Sequence, residues 1–548
     1  MRPSRDNGIR PVGSRPAKGS RWPATSGRGQ SKIESRAETA PARRSGATSE
    51  MEERHAEGGP PAGWARSTLG EITGKPRPKV RPQEFSHLRY IGLEHVEAHT
   101  TRLLGSVPAT DVRSATGRFF SGDVMYGRLR PYLNKVFRAD SEGLCSSEFI
   151  VLPKNDDVDS TFLLCRFNAA DFVSFASNLN AGDRPRVDYD QISGFDVLLP
   201  PLPEQRRIVA EIEKQFTRID KGVEALKRTL ANLKRYRASI LKSACEGKLV
   251  PTEAALARKE KRDHEPADVL LKRILKERRE RWTGKGKYKE PGAPDISTRP
   301  ERPKGWCWAT LGQIGFAIGG LTKNQRRAKL PRQLPFLRVA NVYANELRLD
   351  DVEQIGVADA EVEKLLLNPG DLLIVEGNGS KTQIGRVALW EGAIDPCVHQ
   401  NHIIKVRLVD VETAKWILHW LLSPGGRTFI ELVASSTSGL YTLSVNKVGA
   451  LPIPIPPLAE QRRIVAEVER LLSEAEKQEQ AAEEGLRRAD RLRQAVLRDA
   501  FAGKLVPQDP ADEPAEKLLA RIRQERHSEG NSRRKEAGLR QRSFHAHG

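Results

Sequence analysis

The chain has 548 residues, too many for one hydrophobic core, since single cores stop growing at roughly 250 to 300 residues, so at least two domains are expected. Lys and Arg number 91 against 71 Asp and Glu, a net charge of +20, which suits a polyanion such as nucleic acid and exceeds what solubility requires. No apolar run marks a membrane helix or a secretion signal, and five cysteines without a CxxC pair indicate neither a disulfide framework nor a structural zinc site.

Residues 1–62 are rich in Arg, Gly, Pro and Ser and nearly free of large aliphatics, so they read as a disordered basic extension. Abundant Arg and Ser would suit a transit peptide, but the acidic residues and the lack of an amphipathic period weigh against one, and an over-extended start ahead of Met51 is the reading preferred. Residues 63–200 read as a globular α+β domain. LRYIGLEHV (Leu88 to Val96), GDVMYG and EFIVLP are short β-branched runs bounded by Gly, Pro and Asp, hence strands, and TFLLCRF is helical.

Residues 201–251 give the strongest signal. Ile208, Ile212, Phe216, Ile219, Val223, Leu226, Leu230, Leu233 and Ile240 recur at spacings of four and three, with Arg237 filling the one gap. This is a heptad seam on a long helix. Pro203 suits its first turn and Gly247 its C-terminal stop. About 42 helical residues would span roughly 60 Å. Residues 252–304 hold a short basic helix (EPADVLLKRILKER, from Glu265) and a flexible linker (EPGAPDISTRPERPKGW).

Residues 305–456 repeat the first domain in outline. GWCWATLGQI answers GWARSTLGEI, and PGDLLIVEG answers SGDVMYG. FLRVANVYA (Phe336 to Ala344), GDLLIVEG and HIIKVRLV read as strands and AKWILHWLL as a helix. Residues 457–507 then repeat 201–251 at a constant offset of 256 residues without a gap, 23 of 51 positions being identical. The second seam carries Ile464, Val468, Leu472, Ala475, Ala482, Leu486, Ala489 and Val496, interrupted by Glu479 and Arg493, and stops at Gly503. Residues 508–548 repeat the short helix (EPAEKLLARIRQER) and end in a flexible tail. A narrow apolar stripe on a charged helix needs a partner, and the second copy supplies one. The alternative is that each long helix folds back on its own domain.

Apparent catalytic sites dissolve. Gly379-Ser380-Lys381-Thr382 resembles a phosphate loop, but the motif needs Gly immediately before Lys. Cys397, His399 and His402 have no second cluster to complete a metal site. No GxGxxG opens a βαβ unit, and no Asn-Pro-Pro-aromatic methyltransferase motif occurs. What remains is basic chemistry in loops. In the first domain Arg128, Arg130, Tyr132, Lys135, Arg184 and Arg186 are candidate DNA contacts. In the second they are Asn378, Ser380, Lys381, Thr382, Gln383 and Arg386, then Ser435, Ser436, Thr437, Tyr441 and Thr442. Arg can pair bidentately with guanine or hold phosphate, and both remain open.

Two diverged domains, each followed by a P-L-x-E-Q-R-R-I-V-A-E helix ending G-K-L-V-P, resemble the specificity (S) subunit of type I restriction-modification systems. YIGLEHV, GDVMYGRLRPYLNK and STSGLYTLSVNKVGALPIPIPPLAEQRRIVAE are similar to that family's target-recognition motifs, and the likeness covers residues 63–526. The first domain departs from it, reading NAGDRPRVDYDQ where a Ser/Thr/Gly-rich loop is usual. The resemblance implies two target recognition domains separated by two long antiparallel coiled-coil helices with an internal pseudo-twofold repeat, and no catalytic residue, cofactor or metal in the chain.

It implies recognition of a bipartite, asymmetric double-stranded DNA site and assembly in the cytoplasm with two modification subunits that methylate adenine using S-adenosylmethionine. Restriction subunits would bring ATP and Mg. Identity between the long helices is dense where Glu204, Gln205, Arg206 and Arg207 match Glu460, Gln461, Arg462 and Arg463. Equivalent partners meeting these positions would produce that density, and so would capping and domain docking. A non-enzymatic architectural DNA-binding protein, with the paired helices as a dimerisation device, is the alternative function.

Overall fold

The computed structural model describes residues 59–283, 286–295, 297, 301–437 and 439–527. Most of the N-terminal extension, including Met51, and the tail beyond His527 lie outside the described residues.

Two antiparallel helices of 44 residues each, Leu202–Cys245 and Leu458–Phe501, form the spine. Their direction follows from the cross-pairs Arg237 to Glu479 (2.8 Å) and Arg493 to Asp220. The three polar residues that interrupt the two seams therefore each find an opposite charge across the interface, two of them pairing with each other. Burial along the seam is uneven. Ile208, Ile212, Leu233 and Ile240 are buried, whereas Phe216, Ile219, Val223, Leu226 and Leu230 are only half-buried. Two helices alone enclose the small seam residues Ala475, Ala482 and Ala489 but leave most of the large ones half-buried, and apart from Leu233 the large seam side chains are fully buried where a domain adds a third surface.

Each domain enters and leaves through one antiparallel strand pair. Ala65–Thr68 pairs with Asp196–Leu199, and Cys307–Thr310 with Pro452–Ile455. Closing the domain on this neck places its exit beside the helix that begins three residues later. Beyond the neck, the first domain holds a three-stranded sheet centred on Val124–Gly127 and a five-stranded sheet centred on Gly143–Ser146. The second holds a four-stranded sheet of Gly315–Gly319, Ile403–Leu408, Leu372–Val375 and Val387–Leu389, beside a three-stranded one centred on Gln333–Leu337.

Two expected strands are shorter than read. In LRYIGLEHV only Arg89–Ile91 is a strand before a 3-10 turn at Leu93–His95, and FLRVANVYA is broken by a turn at Val339–Asn341. Gly92 and Arg338 begin these turns, whose short-range bonds end the ladder. TFLLCRF and AKWILHWLL lie in the helices Ser160–Phe167 and Ala414–Leu422.

The domains sit at opposite ends of the spine. One core joins the first domain to Ile208 and Ile212 from the start of the first long helix and to Leu497 and Ala500 from the end of the second. The other joins the second domain to Ile464 and Val468 and to Ile240 and Ala244. Neither helix folds back on its own domain alone.

The short helices cross over as well. Ala267–Glu280, which follows the first long helix, buries Leu270 and Ile274 against the second domain. Residues 515–527 bury Leu518, Leu519 and Ile522 against the first. Matching hydrogen bonds fix both, Ala267 N to Gly305 O and Ala515 N to Gly63 O, each 2.9 Å.

The linker before the second domain is anchored at several described positions. Arg302 donates to Cys245 O at 2.7 Å and lies 4.1 Å over Trp308, and Thr310 Oγ1 donates to Gly292 O at 3.0 Å. Proline and glycine suggested flexibility there, but the linker must run from helix end to neck and is held along the way. Gly247 (φ +68°) and Gly503 (φ +69°) end the long helices in the left-handed region. A Cβ on either would strike the proline that opens the adjoining domain, Pro303 at 2.4 Å or Pro61 at 2.6 Å.

Candidate nucleic-acid interface

In the first domain two loops more than 50 residues apart in sequence meet. Arg130 N donates to Pro185 O at 2.7 Å, Val187 N to Arg128 O at 3.0 Å, and Leu129 and Arg186 form a bridge. Arg128, Arg130, Tyr132, Arg184 and Arg186 thus share one ridge. Arg130 (φ +53°) and Asn134 (φ +39°) are left-handed on either side of the turn Pro131–Leu133. A non-glycine residue held there stores roughly 1 kcal/mol or more of strain.

The ridge arginines divide into two kinds. Arg128 pairs with Asp188, and Arg186 with Glu148 at 2.8 Å. Arg184 is exposed and Arg130 half-buried, and among the described residues neither has an ion-pair partner. Tyr132 is 45% exposed. Lys135 does not join the ridge as a free cation, because its Nζ donates to Leu93 O at 2.7 Å. That contact ties the loop to the neighbouring sheet.

Sequence reading missed the support beneath the ridge. Buried Asn134 donates from Nδ2 to Asn168 Oδ1 at 2.8 Å, and Asn168 O accepts from Gln494 Nε2 at 3.1 Å. This loop is therefore tied to the second long helix, more than 300 residues downstream. No spacing in the sequence signals such a link.

In the second domain a small sheet assembles the candidates. Gly377–Asn378 pairs with Leu440–Thr442, which pairs with Ser435–Thr437, so that Asn378 and Ser436 both face Tyr441 in register. Thr442 lies between Gly377 and Ser435. The loop that follows, with Ser380, Lys381, Thr382 and Gln383 exposed, is a turn and not the start of a helix, which removes the resemblance to a phosphate loop. Ser380 N donates to Asn378 Oδ1 at 2.8 Å, and the Ser380 and Thr382 hydroxyls lie 3.0 Å apart.

Arg427 underpins this loop, donating to Ile384 O at 2.7 Å and Thr382 O at 3.2 Å. Arg386 lies 4.8 Å over Tyr343 and donates to Val339 O at 3.3 Å, while Arg348 lies 4.0 Å over the same ring. Tyr343, Arg348 and Arg427 were not legible as site residues, being some 40 residues from the loop in either direction.

Four of the eight residues proposed as a partner surface are turned inward. Glu204, Gln205, Glu460 and Gln461 are all buried. Gln205 accepts from Asp159 N at 2.9 Å and donates to Pro200 O at 3.0 Å, and Gln461 donates to Pro456 O at 2.8 Å. Glu460 accepts from the Trp306 indole at 2.9 Å and from Glu253 N at 2.8 Å. Burial pushes the carboxyls of Glu204 and Glu460 above the ordinary carboxylate range.

Arg207 and Arg463 complete the junctions by pairing with Asp512 (2.6 Å) and Glu253 (2.7 Å). Arg462 is exposed and pairs with Glu412, and Arg206 is exposed. These contacts dock the domains onto the helix starts within the chain.

The CVHQNH segment is structural. His399 is buried and its Nδ1 lies 2.9 Å from Ile403 O. Burial, with the charge of Lys405 adding to it, pushes His399 down to about 4, so it is neutral at neutral pH. Among the described residues no group of three or more His, Cys, Asp or Glu could hold a metal ion.

A family model described as the type I restriction modification DNA specificity domain matches residues 303–483. The specificity subunit of the EcoKI type I restriction enzyme from Escherichia coli K12 is 25% identical over 373 residues, covering 65% of this chain and 70% of that protein. The StySPI specificity subunit from Salmonella potsdam is 25% identical over 370 residues, with the same coverage. A chain solved in work on the complex assembly and conformational transition of the type I R-M system shares the fold. Its TM-score is 0.54 at 22% identity, and the likeness covers 82% of this chain and 100% of that one.

Proposed function

We propose that the chain is a specificity subunit of a type I restriction-modification system and that its two domains each read one half of a bipartite, asymmetric DNA site. It is a DNA-recognition subunit, with catalysis in the other subunits of the system. The observation that carries the bipartite reading is the placement of two dissimilar polar ridges, one on each domain, at opposite ends of one helix pair. The two domain-docking patches lie about 32 residues apart along the first long helix. That is roughly 48 Å, or about 14 base pairs of duplex.

Two modification subunits, carrying S-adenosylmethionine for adenine methylation, and restriction subunits carrying ATP and Mg complete the reading, which places the assembly in the cytoplasm. No described helix is long and apolar enough to cross a membrane. The pseudo-twofold spine supports two equivalent partners. The test is to mix the chain with the modification subunit of its own system and S-adenosylmethionine and map methylated adenines over randomised DNA. One two-part motif with a fixed gap is expected; methylation without sequence preference would refute the reading. So would methyl transfer by this chain alone.

A further inference from the structure

The polar ridges of the two domains are built on one backbone plan. Val187 N donates to Arg128 O at 3.0 Å, and Leu443 N donates to Glu376 O at 2.8 Å. One residue along, Leu129 bridges Arg186 as Gly377 pairs with Thr442. Both segments then enter a five-residue helix, Tyr189–Ser193 behind Asp188 and Val445–Gly449 behind Ser444. The 256-residue offset of the long helices therefore extends upstream into the ridges, where it sets Arg184 against Leu440 and Arg186 against Thr442. In the facing segments the same register sets Arg130, bonded to Pro185 O, against Asn378, paired with Tyr441.

One frame thus presents unlike side chains. Arg184 is exposed and has no ion-pair partner among the described residues, and Leu440 is 47% exposed. The turns beside them are open: at Gly182 (φ +115°) and Gly439 (φ +81°) no described atom of another segment lies within 4 Å of where a Cβ would stand. A single exposed leucine is ordinary. This one ends a β-ribbon whose other exposed side chains are polar, at the position an arginine holds in the other domain.

We propose that Arg184 and Leu440 are equivalent base-reading positions: Arg184 selects a guanine in one half-site, and Leu440 selects a thymine in the other through its 5-methyl group. The proposal rests on the bipartite reading above and adds the chemistry read at one position of each half-site. The major groove admits a two-stranded β-ribbon, and there guanine offers arginine two acceptors while the one methyl group belongs to thymine. Arginine and leucine on the same frame therefore prefer different bases, since thymine's single acceptor does not satisfy the arginine fork and guanine gives leucine nothing apolar to pack on. Phosphate, common to every sequence, would hold Arg184 but offers Leu440 nothing.

The test uses the full chain assembled with the modification subunit of its own system and S-adenosylmethionine, with methylation mapped over randomised DNA. The wild-type assembly is expected to require a guanine at one position of the first half-site and a thymine at one position of the second. Replacing that thymine by uracil, which lacks only the methyl group, should slow methylation about fourfold, the worth of burying one methyl. Leu440→Ala should erase the thymine-over-uracil ratio, and Leu440→Arg should turn the required thymine into guanine with the other positions unchanged. Arg184→Leu should make the opposite change in the first half-site. All three variants should unfold at the wild-type temperature, because both side chains are exposed.

Leu440→Ala with an unchanged thymine-over-uracil ratio would overturn the reading of the methyl group, and Leu440→Arg that still requires thymine would overturn the equivalence. Arg184→Ala that weakens all sequences alike would make Arg184 a phosphate contact and overturn its selection of guanine. A wild-type assembly that methylates with no two-part motif would instead refute the bipartite reading beneath the proposal.

Discussion

Arg130 carries the sharpest residue-scale expectation. Its backbone is held in the left-handed region by Pro185 and the 3-10 turn, and its guanidinium has no carboxylate partner among the described residues. A strained, preorganised arginine on this ridge suits a base-edge contact. Arg130→Ala should cost about 1 to 3 kcal/mol and relax one position of one half-site only. Lys381 is an exposed cation on a loop and suits phosphate. Lys381→Ala should weaken all sequences alike and lower the salt slope by about 0.9. Methylation profiling and a salt titration distinguish the two outcomes.

Glu253 gives a pH-dependent expectation. Burial alone would raise its carboxyl, but bonds from Arg262 (2.6 Å) and Arg463 (2.7 Å) outweigh burial and hold it below the ordinary carboxylate range. Its stabilising contribution is therefore present above that range and lost as pH falls through the lowered value. Glu253→Gln should lose roughly 1 to 3 kcal/mol at pH 7, a figure tempered by the half-exposed arginines, and progressively less as pH falls below the ordinary carboxylate range. Thermal unfolding across that pH range is the measurement.

At the scale of elements, the domains are fastened near the ends of the long helices, and the proposed function then makes these helices a ruler. Inserting one heptad after Ala225 and another after Ala489 preserves the seam, since seven residues fall only some 20° short of two turns. The insertions should lengthen the gap between half-sites by about 10 Å, near three base pairs, with both half-sites unchanged. A methylation motif with an unaltered gap at full activity would rule the ruler out. The spine could be read from sequence because it rests on local periodicity: heptads, Pro203, Gly247 and an ungapped repeat are all short-range signals. The same reading found the loops that carry Arg130 and Lys381. It missed how they are held, because Asn134 with Asn168 and Gln494, and Thr382 with Arg427, are contacts between distant segments of the chain. It also gave Glu204 and Glu460 as partner-interface candidates, with capping and domain docking as the other cause of their identity, and they are buried: identity between repeats reports pressure on a position and not the direction in which its side chain points.

At the scale of the whole molecule, sequence halves and structural halves differ. The first domain and the first long helix adjoin in sequence, yet the first domain is completed by Phe501, whose ring lies 5.4 Å from Phe162, and by residues 515–527. Ion pairs seal the same junction, Arg523 to Glu71 (2.7 Å) and Arg207 to Asp512 (2.6 Å). Removing everything after Pro507 therefore strips a cover from the domain farthest away in sequence. Leu518, Leu519 and Ile522 are at most 3% exposed, and burying each is worth about 2 kcal/mol, so their loss should cost the first domain on the order of 6 kcal/mol. The second domain, covered by Ala267–Glu280 from the middle of the chain, should be unaffected. Limited proteolysis of the truncated chain should cut first within residues 61–200. DNA-binding profiles should lose the half-site assigned to Arg130 and keep the one assigned to Lys381. Were the short helices to serve the domain of their own half, the second half-site would be lost instead.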